Sequence, residues 1–154
     1  MSVEEFEGEY EPSTWDWVRE QADRFESSGG TEANTLRDTG MPIMMVTCRG
    51  HKSGKVRKVP LMRVEHEGEY AIIGSKGGAP THPGWYYNLV ADPRVIVQDG
   101  IERFETTVRL VEGEERAGWW ERAVAAFPPY AEYEVKAGAA GRTIPVFISY
   151  PKAD

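Results

Sequence analysis

The chain has 154 residues, 40% of them hydrophobic, one cysteine and a formal net charge of −7. That is enough chain for one domain with its own core, and it contains no run of about 18 apolar residues that could span a bilayer. The acidity argues against a general nucleic-acid binder, and Cys48 with the scattered His51, His66 and His82 can make neither an internal disulfide nor a zinc site.

In chain order, residues 1–12 carry five glutamates, a glycine and a proline, and read as a loosely attached segment. The opening MSVEEFEGEYEPS is acidic where a secretory leader would be basic and then apolar, so a reducing cytoplasm is the expected compartment. A helix capped by Ser13 or Thr14 is expected through Trp15, Val18, Ala22 and Phe25, which fall on one face. SSGGTEAN at 27–34 ends it as a loop. PIMMVT at 42–47 reads as a buried strand, and 56–65 as a second, with Val59, Leu61 and Val64 able to face a core. Glu67-Gly68 sits at a hairpin position before the returning strand 70–74. The loop SKGGAPTHPG then leads into a short helix over 85–90.

Residues 94–98 and 101–110 form an expected hairpin around Asp99-Gly100, with Ile101, Arg103, Glu105 and Thr107 on one face. A helix over 112–127 carries Trp119, Ala123, Val124 and Phe127 on a stripe and stops at Pro128-Pro129. A shorter helix or turn follows over 130–136, then GAAGR as a flexible link and a closing strand over 143–150. Hairpin-linked strands with helices inserted late suit a closed antiparallel barrel with accessory helices, or an open α+β sheet.

Charge is divided unevenly. Residues 1–40 sum to −8 and residues 64–154 to −5, while 49–63 hold Arg49, Lys52, Lys55, Arg57, Lys58 and Arg63 with no acid. Clustered cations repel one another unless an anion or solvent answers them, so the GHKSGK turn is a candidate site for a small polyanion. The plain alternative is a solvated hairpin tip. GHKSGK lacks the glycine spacing and the Ser or Thr of a Walker loop, which excludes a nucleotide triphosphatase. SKGG, Ser75 to Gly78, is a second glycine-rich turn that would let a planar ring approach the backbone. No nucleophile elbow accompanies Ser53, Ser75 or Thr81-His82, and Cys48, within or beside a strand, is expected to be inert.

The segments TCRGHKSGKVRKVPL, YAIIGSKGGAPTHPGWYYNLVADPRV, FPPYAEYE and GRTIPVFISY, in this order from about residue 43 to 150, resemble the deazaflavin-dependent nitroreductase family of actinobacteria. The resemblance implies a mainly β, α+β fold. It would be a split antiparallel β-barrel over 41–154, related to FMN-binding barrels, with C-terminal accessory helices behind an acidic N-terminal segment of one helix over 1–40. It implies coenzyme F420, an 8-hydroxy-5-deazaflavin with a planar ring, a ribityl chain, a phosphodiester and a polyglutamate tail. By resemblance Gly50, Lys52, Ser53, Lys55 and Arg57 hold the phosphate and tail, with Arg49 and Lys58 as further contacts. Pro60 belongs to the same cofactor-binding stretch. Ser75, Lys76, Gly77 and Gly78 line the ring and Trp85 sits against the same pocket.

Tyr130 and Tyr133 match tyrosines on the substrate side and, with Ser75, are the candidate catalytic hydroxyls. The implied reaction moves hydride from reduced F420 to an activated double bond or quinone, with an enone or quinone as the small-molecule partner. FMN in the same barrel and a non-catalytic F420 carrier are the alternatives. His51 stands where the family commonly has Arg, a departure within the phosphate-binding turn. Met62 stands where a nitroimidazole-reducing member has Tyr, which turns the expectation away from nitro compounds. The family also admits monomers and homodimers. Some relatives use their N-terminal part near membranes, so peripheral membrane contact belongs with the resemblance, although a −8 segment is repelled by anionic lipid.

Overall fold

The structure is a computed structural model that describes residues 9–36 and 40–150. Its elements, in order, are α1 (Asp16–Ser27), β1 (Ile43–Arg49), β2 (Val56–Met62), β3 (Glu65–His66), β4 (Glu69–Ile73), a 3-10 turn (Lys76–Gly78), α2 (Gly84–Ala91), β5 (Arg94–Asp99), β6 (Glu102–Leu110), α3 (Gly113–Ala126), α4 (Tyr130–Ala139) and β7 (Val146–Ser149). The strands form one antiparallel seven-stranded sheet in the order β2-β1-β5-β6-β7-β4-β3. Its two edge strands, β2 and β3, are joined through Arg63 and Val64 alone. Laid flat, seven strands would set those edges about 29 Å apart at roughly 4.8 Å per step. The short link reaches only about 11 Å. The sheet must curl, and the result is the expected split barrel.

The apolar pattern follows from which strand faces are covered. Along β1, Met44, Val46 and Cys48 point into the barrel beside Val95, Val97 and Phe147, while Ile43 and Met45 pack against Ala22 and Phe25 of α1. Along β4 and β7, Tyr70, Ile72 and Phe147 face the barrel, whereas Ala71, Ile73, Val146 and Ile148 meet Trp119, Trp120 and Tyr130 of α3 and α4. Strands buried on both faces lose their period-2 alternation, which is why PIMMVT reads as a continuous apolar run. β6 keeps it: Phe104 and Val108 are buried while Glu105 and Thr107, on the other face, are exposed. Pro60, paired with Met45, is tolerated because β2 is an edge strand whose outer side owes the sheet no N–H.

Three local expectations are corrected. Trp15 is the residue preceding α1, 63% exposed, and is no part of the helix's buried face; Ser13 Oγ accepts the Trp15 N–H there. GAAGR is not a link throughout, because α4 runs to Ala139 before the chain turns at Gly141. Residues 9–11 are docked: Tyr10 forms a parallel bridge with Val56, closed by Glu11 N–H to Val56 O and Val56 N–H to Glu9 O, each 2.8 Å. The rest of the expected loose segment, residues 1–8, lies outside the described residues.

Candidate functional site

A cleft of about 900 Å³ lies between α1, the inner part of β2, the turn before β2, the loop after β4 and the N-terminal ends of α2 and α4. Of the residues expected at the site, Gly50, Lys52, Ser53, Arg57, Pro60, Ser75, Lys76, Gly77, Trp85, Tyr130 and Tyr133 all line it. Lys55 and Gly78 do not. Lys55 turns to Glu9, with Nζ 3.6 Å from its carboxylate. Gly78 is packed behind the loop, where a Cβ would lie 2.8 Å from Tyr133 O and 3.0 Å from Lys136 Cβ. With φ +80° as well, that position accepts only glycine without a shift of α4.

The basic turn is built on its own backbone and on one amide side chain. Gly50 N–H bonds Lys55 O at 2.7 Å, Gly54 N–H bonds Gly50 O at 2.9 Å, and Ser53 Oγ accepts from Lys55 N–H at 3.1 Å. From α2, Asn88 Oδ1 receives the His51 N–H at 3.0 Å and stands 2.7 Å from His51 Nδ1. An amide oxygen can only accept, so this contact places the ring proton on Nδ1. The cations are largely answered from within the chain. Lys58 pairs with Glu26 at 3.4 Å and Arg63 with Asp99 at 2.8 Å. Glu11 receives Arg57 Nη1 at 3.0 Å and Ser53 Oγ–H at 3.3 Å. The anion demanded by the charge pattern is thus supplied in part by the acidic N-terminal segment, a pairing that no local sequence signal announces.

The loop after β4 is held differently. Lys76, Gly77 and Gly78 all have positive φ, so the chain turns sharply there and presents its backbone to the cleft. Its carbonyls converge on Arg142, which is only 8% exposed. The guanidinium donates from Nε to Ala79 O at 2.7 Å, from Nη1 to Gly74 O at 2.9 Å and from Nη2 to Ser75 O. Nη1 also lies 3.1 Å from His82 Nδ1. Burial, then the neighbouring Arg142 charge, holds the His82 pKa below its ordinary value, so the ring is a neutral acceptor stacked on Tyr86 with centroids 4.2 Å apart. In the sequence Arg142 stands only within the GRTIPVFISY motif; the three carbonyls it binds lie more than 60 positions away.

The remaining wall is apolar, formed by Trp17, Val18 and Leu36 from the N-terminal part and by Met62, Phe127 and Tyr133. Tyr130 is 4% exposed against Trp120, Phe127 and Tyr133, and burial first, then Tyr133, pushes its phenol well above the usual range. Cys48 is buried in the barrel with its thiol raised to about 11, chiefly by desolvation, and does not line the cleft. Among the described residues no group of His, Cys, Asp and Glu could hold a metal ion, and no helix is long and apolar enough to cross a membrane.

The sequence profile of the F420H(2)-dependent quinone reductase family matches residues 17–151. Rv3178 of Mycobacterium tuberculosis, named for that same activity, is 30% identical over 112 residues, covering 73% of this chain and 92% of its own. A solved F420-H2 dependent reductase (FDR-A) is 55% identical, with a TM-score of 0.66 over 71% of this chain and 94% of that one. A second solved structure, described as a domain-swapped dimer, is 52% identical, with a TM-score of 0.68 over 90% of this chain and 100% of that one.

Proposed function

The chain belongs to the F420H(2)-dependent quinone reductase family, and from that premise we propose that it is an F420-dependent oxidoreductase whose hydride acceptor is a quinone. One observation carries the reading: a single cleft joins a basic turn, a glycine loop offering bare backbone and an apolar, aromatic wall. The residues present fit the cofactor. Glu11 already places a carboxylate on Ser53 and Arg57, so this part of the cleft accepts an anionic oxygen. Lys52, Ser53 and Arg57 would hold the phosphodiester and the first part of the tail, with the Gly50 turn behind them. Ser75, Lys76 and Gly77 would lie along the ring, with Trp85 and Pro60 closing its sides. Lys55 would act at longer range, from outside the cleft.

When bound in reduced form, F420 supplies a hydride from its planar ring. The chain's part is to bind, orient and polarise. A quinone that accepts hydride at one end of its conjugated system gathers negative charge on an oxygen, and a fixed O–H donor stabilises that charge. The Tyr130 phenol, Tyr133 beside it and the Ser75 hydroxyl are the donors available at the cleft. Trp17, Val18, Leu36 and Met62 exclude water and favour a flat apolar acceptor over a small polar enone. The relative solved as a domain-swapped dimer supports a homodimer as the assembly.

The test is a fluorescence titration with F420, FMN and FAD in parallel, followed by oxidation of reduced F420 with quinone and enone panels. Saturable binding of F420 alone and faster turnover with quinones are expected. Binding of FMN alone, or F420 binding without turnover of any acceptor, would overturn the assignment.

A further inference from the structure

The N-terminal segment meets the basic turn in a way that the hydride-transfer reading leaves unused. Residues 9–11 lie along the outer edge of β2, fixed by the two backbone bonds to Val56 and by Lys58 Nζ, 4.9 Å from the centre of the Tyr10 ring. Alternation along this short extended stretch sends Glu9 and Glu11 to the cationic side together. Glu9 reaches Lys55, and Glu11 reaches Arg57 and Ser53 from within the cleft lining. Arg57 and Ser53 are groups to which the proposed function gives the cofactor's phosphodiester and tail, and Lys55 is the cation that would act on them at longer range.

We infer that Glu9 and Glu11 are built-in competitors for the anionic end of the cofactor, and so determine its affinity and the preferred length of its tail. This rests on the F420 reading above. The Ser53 hydroxyl has one proton to donate and Glu11 also occupies Arg57 Nη1, so an incoming anion that takes these same donors displaces the Glu11 carboxylate. Both ion pairs are partly solvent-exposed, with side chains 34% and 39% accessible for Arg57–Glu11 and 42% and 75% for Lys55–Glu9. Pairs of this kind are weak and easily exchanged. The backbone bonds to Val56 do not involve the carboxylates, so the segment stays docked while the two side chains swing away. Once displaced, both carboxylates remain near the tail and repel its further glutamates, which disfavours long tails.

Glu9→Gln and Glu11→Gln together keep shape and backbone bonding while removing both charges. Fluorescence titration should show F420 bound about fivefold more tightly per carboxylate removed, the equivalent of a pair worth near 1 kcal/mol. The gain should grow with tail length and shrink as salt is raised. Glu32→Gln, which removes an acid paired with Arg24 from the same segment, should change nothing. Equal or weaker F420 binding by the double variant, or the same gain from Glu32→Gln, would overturn the inference. Tripolyphosphate, followed by thermal shift, separates this from the cofactor reading. If neither protein binds F420 but the double variant binds tripolyphosphate more tightly, the cofactor reading falls and the displacement stands. Equal tripolyphosphate affinity would sink the displacement itself.

Discussion

The two glycine-rich turns that face the cleft are alike as strings and opposite as structures. GHKSGK and SKGG each follow a strand and each carry a lysine, a serine and glycines. The first keeps its shape through its own backbone and Asn88 while partly exposed carboxylates answer the cations on and beside it; the second is held by one buried guanidinium on backbone carbonyls. The difference teaches what each turn can do. A partially solvated ion pair contributes little and can trade one anion for another. A buried charge whose hydrogen bonds go to main-chain oxygens cannot be exchanged, because removing it leaves those oxygens without donors. On the proposed function, one turn would grip and release a charged tail and the other would hold a rigid bed for a ring.

The contrast breaks first at Arg142. Arg142→Met should destabilise the protein by about 3 kcal/mol, since unsatisfied buried carbonyls cost on the order of 1–3 kcal/mol each. Urea unfolding measures this. Arg142→Lys should recover part of the stability, because one ammonium cannot reproduce the fork that reaches Gly74, Ser75 and Ala79 at once. Its residual defect should fall on the KM for F420 more than on kcat, as expected of a residue that positions the loop without touching substrate. Unaltered stability of the methionine variant would mean that the loop holds its shape without the guanidinium.

His82 sharpens the contrast with a smaller effect. Its folded pKa is depressed, so the unfolded chain takes up the proton more readily. The stability this contributes is complete above the ordinary imidazole value of 6.5 and is lost as pH falls through that value toward the lower folded one. Melting temperature should decline between pH 7.5 and pH 5 as a charged ring is forced against Arg142. His82→Gln, whose side-chain oxygen can still accept from Arg142, should flatten that part of the decline. A slope identical to wild type would remove His82 from the account.

The smallest effect on stability belongs to the basic turn. Arg57→Met should cost below about 1 kcal/mol, as for ion pairs that solvent reaches, while weakening F420 binding and flattening its salt dependence. A large loss of stability with intact cofactor binding would reverse the roles assigned to the two turns.

Much of the site was legible because it is local. The hydroxyls, cations and glycines of 50–57 and 75–77 are set by short turns, and a turn's residue types announce its backbone. Pro60 and Trp85, which line the cleft, are pointed to by the family resemblance alone. What escaped was pairing at a distance. Lys55 and Gly78 were assigned to the cofactor by their place in a motif; one faces Glu9 and the other buttresses α4. Arg142 carried no signal of its own, since an arginine before a strand can lie in solvent as easily as in a core.

By itself the sequence determined the strands, the positions of the helices and the residue types at both turns. Backbone preference and apolar spacing act over a few residues and are written there. Only the tertiary structure decided which faces are buried twice, how a two-residue link between the outermost strands curls the sheet, and which acids answer the basic cluster. Those outcomes depend on chain closure and on charges brought together from far apart, for which no short stretch carries a signature. The −8 segment and the +6 turn are each plain in the sequence. That they meet, with Glu11 on Arg57, follows from docking the first along the open edge of β2.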